Sequence, residues 1–120
     1  MKTKNPGKEA IEFVKKYEKK RTGTKPEDVQ HKQGEHKGYD LVSTDTNGKE
    51  LHIEVKGATR YHGIPDPYIT EFNKKTKEMT ADILYVVYFP RDEDEKEHGK
   101  EPILYKIPKS AIKHCRHLII

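Results

Sequence analysis

From Tyr39 to Gly57 apolar and polar residues alternate on both sides of Thr46-Asn47-Gly48, and that pattern confines the segment to an antiparallel hairpin. Burial sets its register. A two-residue Asn47-Gly48 turn would pair Asp40 with Val55 and press a carboxylate into the face carrying Leu51, Ile53 and Val55. A three-residue loop, Thr46-Asn47-Gly48, pairs Asp40 with Glu54 instead. Gly48 then takes the left-handed position of a type I turn with a bulge. A one-residue slip turns a whole strand over, so only the second register keeps the apolar set together. Tyr39, Leu41, Leu51, Ile53 and Val55 then form one face, and Asp40, Val42, His52, Glu54 and Lys56 the other.

The polar face carries a chemistry. Two carboxylates facing each other repel unless a cation sits between them. Mg²⁺ suits the pair, with Mn²⁺ as the alternative: it takes hard oxygen ligands, keeps several waters, and uses one or two carboxylates with substrate phosphate oxygens. The Val55 carbonyl offers a further oxygen. Lys56, on the same face, brings a compact positive charge that can orient or deprotonate a water attacking a phosphate. A solvated strand face gives the same Glu-Val-Lys tripeptide, which is common by itself. The whole constellation, with Gly38-Tyr39-Asp40 upstream and Gly57 after the lysine, is more specific.

Asp40, a short hairpin, then Glu54-Val55-Lys56 resembles the PD-(D/E)XK nuclease superfamily. More narrowly, Gly38-Tyr39-Asp40 followed by Ile53-Glu54-Val55-Lys56-Gly57 resembles the No Vein C-terminal-type domain, often attached to restriction and defence proteins. Ile69-Thr70-Glu71 opening a helix and Ile83 to Val87 as the next strand extend the likeness to about residues 5 to 107. Tyr39 stands where the superfamily motif often has a proline. The resemblance implies a restriction-endonuclease-like α/β core, a mixed central sheet flanked by helices. It also implies metal-dependent endonucleolytic hydrolysis of nucleic acid, DNA before RNA, with Asp40, Glu54, Lys56 and a first-helix glutamate as catalytic residues. Glu9 and Glu12 are the candidates for the last. At about 100° per residue Glu12 falls opposite the helix's apolar stripe, whereas Glu9 lies on its flank near the helix start. Glu9 also matches the family position better; favouring the helix N-terminus electrostatically would explain it equally. The rival reading is a nucleic-acid-binding or interaction module that keeps the scaffold without cutting.

At 120 residues the chain is long enough for one domain, 1–120. It is 37% charged with a mean hydropathy of −1.05, yet its apolar residues cluster, which predicts a thin core rather than disorder. A single cysteine, Cys115, excludes an internal disulfide and fits a reducing cytoplasm. No stretch approaches the roughly 20 apolar residues of a membrane span, and the basic Met1 to Asn5 lacks the apolar core of a signal peptide. Net charge is +4 and pI about 9.0, a modest lean towards nucleic acid. Basic residues gather at Lys15, Lys16, Lys19, Lys20, Arg21 and Lys25, at Lys74, Lys75 and Lys77, and at Lys109, Lys113, His114, Arg116 and His117. Candidate nucleic-acid contacts are His52, Arg60, Lys74 and Lys75. Other partners in view are a second copy or companion domains of a defence system. Asp92 to Glu95 reads as a solvated loop tip. His114-Cys115-Arg116-His117 is a poor zinc set.

Around the hairpin, Ala10, Phe13, Val14 and Tyr17 predict a helix over about residues 7 to 21, ended by Gly23. Residues 28–32 suggest a short strand. Pro67 to Thr80 reads as a second helix through Ile69, Phe72 and Met79. Ile83 to Phe89 is a continuous apolar run, as in a buried strand, closed by Pro90. Ile103 to Ile107 alternates as a further strand, and a short helix starts near Ser110.

Overall fold

The computed structural model describes residues 6–29, 38–59, 72–73 and 78–112. Helix α1 (Pro6–Thr22) opens on a proline, whose missing N–H costs nothing at the first helical position. Ala10, Val14 and Glu18, four residues apart, are its buried line. It ends at Gly23, which adopts φ +82° and donates its N–H to the Lys19 carbonyl at 2.7 Å.

Strands β1 (Glu27–Asp28), β2 (Leu41–Thr44), β3 (Glu50–Ala58), β6 (Ile83–Tyr88) and β7 (Ile103–Pro108) form one mixed sheet in the order β1-β2-β3-β6-β7. β3 and β6 run parallel and the other neighbours antiparallel. The hairpin has the register that burial requires, with Leu41 opposite Ile53 and Thr44 opposite Glu50. Its loop is Thr46-Asn47-Gly48. Asp45 donates its N–H to the Lys49 carbonyl at 2.8 Å, and Gly48 sits at φ +81°. The Asp45 carboxylate accepts the N–H groups of Asn47 and Lys49 at 2.8 and 2.9 Å, which fixes the turn.

The helix packs on one face of the sheet. Ala10 and Val14 meet Leu41, Ile53, Val55, Tyr85, Val87 and Phe89 there. The opposite face has a smaller cluster of Ala81, Leu84 and Val86, with Tyr39, Ala58, Tyr105 and Ile107 packed on it. β6 lies between the two layers and reads as the uninterrupted apolar run expected of a strand buried on both faces.

Two expectations change. Pro67 to Thr80 is not one helix: Phe72–Asn73 and Glu78–Met79 are two-residue strands, β4 and β5, paired antiparallel with Phe72 opposite Met79. Phe72 and Met79 fit a helical spacing, but they also meet across a hairpin. Lys74 and Lys77, one helical turn apart, would repel in a helix. Residues 67–71 and 74–77 lie outside the described residues. The sheet is mixed and α1 packs on it, the α/β arrangement expected. Among the described residues only α1 is long, while α2 (Glu95–His98) and α3 (Lys109–Ile112) have four residues each. The acidic run is also more ordered than a loop, since Asp92–Asp94 form a 3-10 turn that leads into α2.

The start of α1 rests directly on β3. A Cβ at Gly57 would collide with the Pro6 carbonyl. Gly57→Ala is therefore expected to push the helix start off the sheet and cost about 1–3 kcal/mol, read by urea denaturation. Wild-type stability in that variant would show that the helix start yields freely.

Candidate metal centre

Along β3 the residues alternate in where their backbone groups point. His52 and Ala58 accept from β6 and its flanks, through Asp82 N–H and Phe89 N–H, both at 2.8 Å. Ile53 points the other way and accepts the Asp40 N–H at 2.8 Å. Val55 follows Ile53, so its N–H and C=O both face the edge next to β2.

Asp40 stands at that edge, and its backbone is kinked. Its N–H goes to β3, whereas its C=O accepts the Val29 N–H at 3.0 Å on the β1 side. A residue in a regular strand sends both groups to one edge. The β2 backbone turns away at this point, and the Asp40 side chain takes its place, with Oδ2 accepting the Val55 N–H at 2.8 Å. The Asp40 carboxylate and the Val55 carbonyl thus share one edge of β3.

Glu54 and Lys56 flank Val55 on the opposite face from α1. The Glu54 side chain is 8% exposed and Lys56 24%, with Lys56 Nζ 3.8 Å from Glu54 Oε1. Glu54 lies beside Leu84 in the sheet, within reach of the smaller apolar cluster. A carboxylate buried there needs compensating charge or hydrogen bonds, and Lys56 supplies part of it.

Tyr39 departs from the expected pattern. The kink at Asp40 and Gly38 at φ +82° reset the alternation, so Tyr39 leaves the helix-facing side. It stacks on His52 instead, with ring centroids 4.2 Å apart and planes 7° apart. His52 Nε2 lies 3.1 Å from Glu50 Oε2, and its backbone N–H donates to Asp82 Oδ2 at 2.8 Å.

Glu9 is exposed in the first turn of α1, whose start meets β3 at Gly57, one residue past Lys56. Glu12 faces solvent as expected and pairs with Lys15 at 3.4 Å. Arg60, Lys74, Lys75 and residues 113–117 lie outside the described residues. The basic cluster at the end of α1 is partly structural. Lys15 is bonded to Asp28 at 2.8 Å, and that hydrogen bond holds its pKa above the ordinary lysine value against the opposing effect of burial.

Sequence reading missed Glu18. This carboxylate is fully buried between α1 and the sheet. Arg21 donates to both its oxygens, Ser43 Oγ donates at 2.7 Å and the Tyr85 hydroxyl at 2.9 Å. Arg21 also reaches the Thr44 carbonyl at 2.6 Å, tying helix to hairpin. Burial alone would raise the Glu18 pKa. The hydrogen bonds from Arg21, Ser43 and Tyr85, with the Arg21 charge, outweigh it and hold the group below its ordinary value. Burial and the facing carboxylate push the Tyr85 phenol well up.

Among the described residues no three His, Cys, Asp or Glu side chains gather into a metal cage. The structure places the Asp40 carboxylate at the β2 edge beside Val55, with Glu54 next to Val55 along β3, so the candidate donors are two carboxylates and the Val55 carbonyl, all hard oxygens. That set fits Mg²⁺ or Mn²⁺, which keep several waters, and not a closed zinc or calcium site. No helix among the described residues is long and apolar enough to cross a membrane.

The architecture is thus an α/β fold with an acidic and lysine-bearing strand beside a kinked aspartate. Residues 7–99 match the family described as Protein NO VEIN, C-terminal, and the chain belongs to that family. Compared with curated proteins and with solved structures, the chain has no match.

Proposed function

We propose that the chain is a metal-dependent nuclease of the PD-(D/E)XK type, with a restriction-endonuclease-like core, acting on DNA in the cytoplasm as part of a restriction or defence system. The observation that carries the reading is the 2.8 Å bond between Asp40 Oδ2 and the Val55 N–H. It holds a carboxylate beside the Val55 carbonyl, on the strand that also bears Glu54 and Lys56.

Asp40, Glu54 and the Val55 carbonyl would hold Mg²⁺ or Mn²⁺, which when bound supplies Lewis-acid charge at a phosphate and acidifies a water. The chain's own residues do the rest. Lys56 has its ammonium 3.8 Å from the Glu54 carboxylate, where it would orient the attacking water and offset charge building on the phosphate. The Val55 N–H fixes one oxygen of Asp40 and so aims the other. Glu9 is the candidate to hold a further water from the helix side. No nucleophilic side chain is required, so hydrolysis is direct.

Titration calorimetry with Mg²⁺ and Mn²⁺ checks the donor set. Wild type is expected to bind one ion, and Asp40→Asn and Glu54→Gln to lose it. DNA binding without any metal binding would favour the non-cleaving module.

A further inference from the structure

Tyr39 and His52 stack nearly parallel on the face that carries Glu54 and Lys56. Strand alternation alone would place Tyr39 with Leu41 in the helix-facing core. The left-handed Gly38 and the kink at Asp40 turn it out of that core and onto His52. His52 is two residues from Glu54 along β3, and Tyr39 is bonded directly to Asp40. The ring pair therefore neighbours Asp40 in sequence and Glu54 along β3.

The stack is held in place but not sealed. Tyr39 packs on the Ala81, Leu84 and Val86 cluster, and His52 Nε2 lies 3.1 Å from the Glu50 carboxylate. Both rings are half-buried, and the His52 side chain keeps 28% of its surface in solvent. Fixed aromatic rings with open surface are what an unstacked nucleobase binds, whatever its identity. A base inside a duplex is already stacked on both sides and offers no free face.

We propose that Tyr39 and His52 form a base-stacking platform, and that the site takes DNA whose bases are unpaired next to the scissile phosphate. Tyr39 is a positioning residue here. The proposal rests on the nuclease reading for its substrate, and its test separates the two.

The chain contains no tryptophan, so Tyr39→Trp creates a single indole probe. It is placed in a Lys56→Ala background and titrated in Mg²⁺ with a single-stranded oligonucleotide and with its duplex, while anisotropy of labelled DNA reads binding. The single strand is expected to quench the indole at concentrations where the duplex leaves it unchanged. Tyr39→Ala is expected to bind the single strand about 10-fold more weakly or worse, and Tyr39→Phe to bind as wild type. Thermal melting of each variant confirms folding, and Tyr39→Phe keeps the test valid if Tyr39→Ala unfolds. Binding without quenching, equal quenching by the duplex, unchanged affinity in Tyr39→Ala, or no binding even at low salt would each overturn the platform. Quenching in a wild-type-like chain that never cuts would leave the platform standing and remove the nuclease. Cutting without single-strand quenching would do the reverse.

Discussion

A Glu18→Ala chain is expected to lose about 3 kcal/mol of stability at pH 7, enough to lower its melting temperature by about 10 °C. Glu18 is 0% exposed, and four donor groups converge on it from Arg21, Ser43 and Tyr85. Its removal leaves the Ser43 and Tyr85 hydroxyls without that acceptor, at about 1–3 kcal/mol for each buried group left unsatisfied. Arg21 is partly exposed and can turn to water, which keeps the loss near the lower end of the range for a broken buried pair. A melting temperature within about 2 °C of wild type would mean that the network contributes nothing net.

Acid should act through the same group. The folded Glu18 pKa is depressed below its ordinary value of 4.5, so its contribution is fully present above pH 4.5 and is lost as pH falls through the folded value. The stability gap between wild type and Glu18→Gln is therefore expected to be constant from pH 7 to 5 and to narrow below pH 4.5. Denaturant midpoints at successive pH values measure it. A gap that narrows above pH 6 would contradict the assignment.

The hairpin is legible in the sequence and Glu18 is not, because the two patterns encode different things. Only one register gathers Leu41, Leu51, Ile53 and Val55 on one side, and Gly48 tolerates the left-handed turn that this register needs, so the hairpin could be written down in advance. In α1 the apolar residues mark the stripe, and a glutamate is by default assigned to water. Yet Glu18 follows Ala10 and Val14 at steps of four, on the very line that is buried. Ser43 repeats the signal on the facing strand, as a polar residue in step with Leu41. Arg21, one turn after Glu18, completes it. Two polar residues in phase with two buried lines were the available sign of an internal ion pair.

The candidate site divides in the same way. Glu54 and Lys56 share a face because strand periodicity leaves no choice. The kink at Asp40 is a tertiary event: Val29, just past β1, takes its carbonyl while β3 takes its N–H, and no local pattern reveals that pairing. For that reason strand alternation alone puts Tyr39 on the wrong face. The β4-β5 pair carries a helical pattern because Phe72 and Met79 satisfy a helical period and a cross-strand pairing alike.

The second large effect is expected at Lys56. Lys56→Ala should cut DNA roughly 10²–10⁴-fold more slowly while binding metal as wild type does, since the proposed role of its amine is on the water and an ammonium is no metal ligand. Asp40 differs. Its carboxylate is in the proposed donor set and also accepts the Val55 N–H, so Asp40→Asn, which keeps an acceptor for that N–H, is the cleaner variant. It should retain the fold and lose metal and cutting together. Lys56→Arg is not expected to rescue, because a broad planar guanidinium cannot take the place of a compact ammonium. Single-turnover rates beside calorimetric metal binding separate the two roles. Metal affinity lost with Lys56, or cutting kept without Asp40, would reverse the assignment.

The most direct measurement is cleavage of supercoiled plasmid and of single-stranded DNA in Mg²⁺ and in Mn²⁺, with Asp40→Asn and Lys56→Ala purified in parallel. Metal-dependent cutting by wild type that disappears in both variants is the predicted result. Cutting that persists unchanged in the variants, or no cutting of either substrate with either metal, would contradict a nuclease built on Asp40, Glu54 and Lys56.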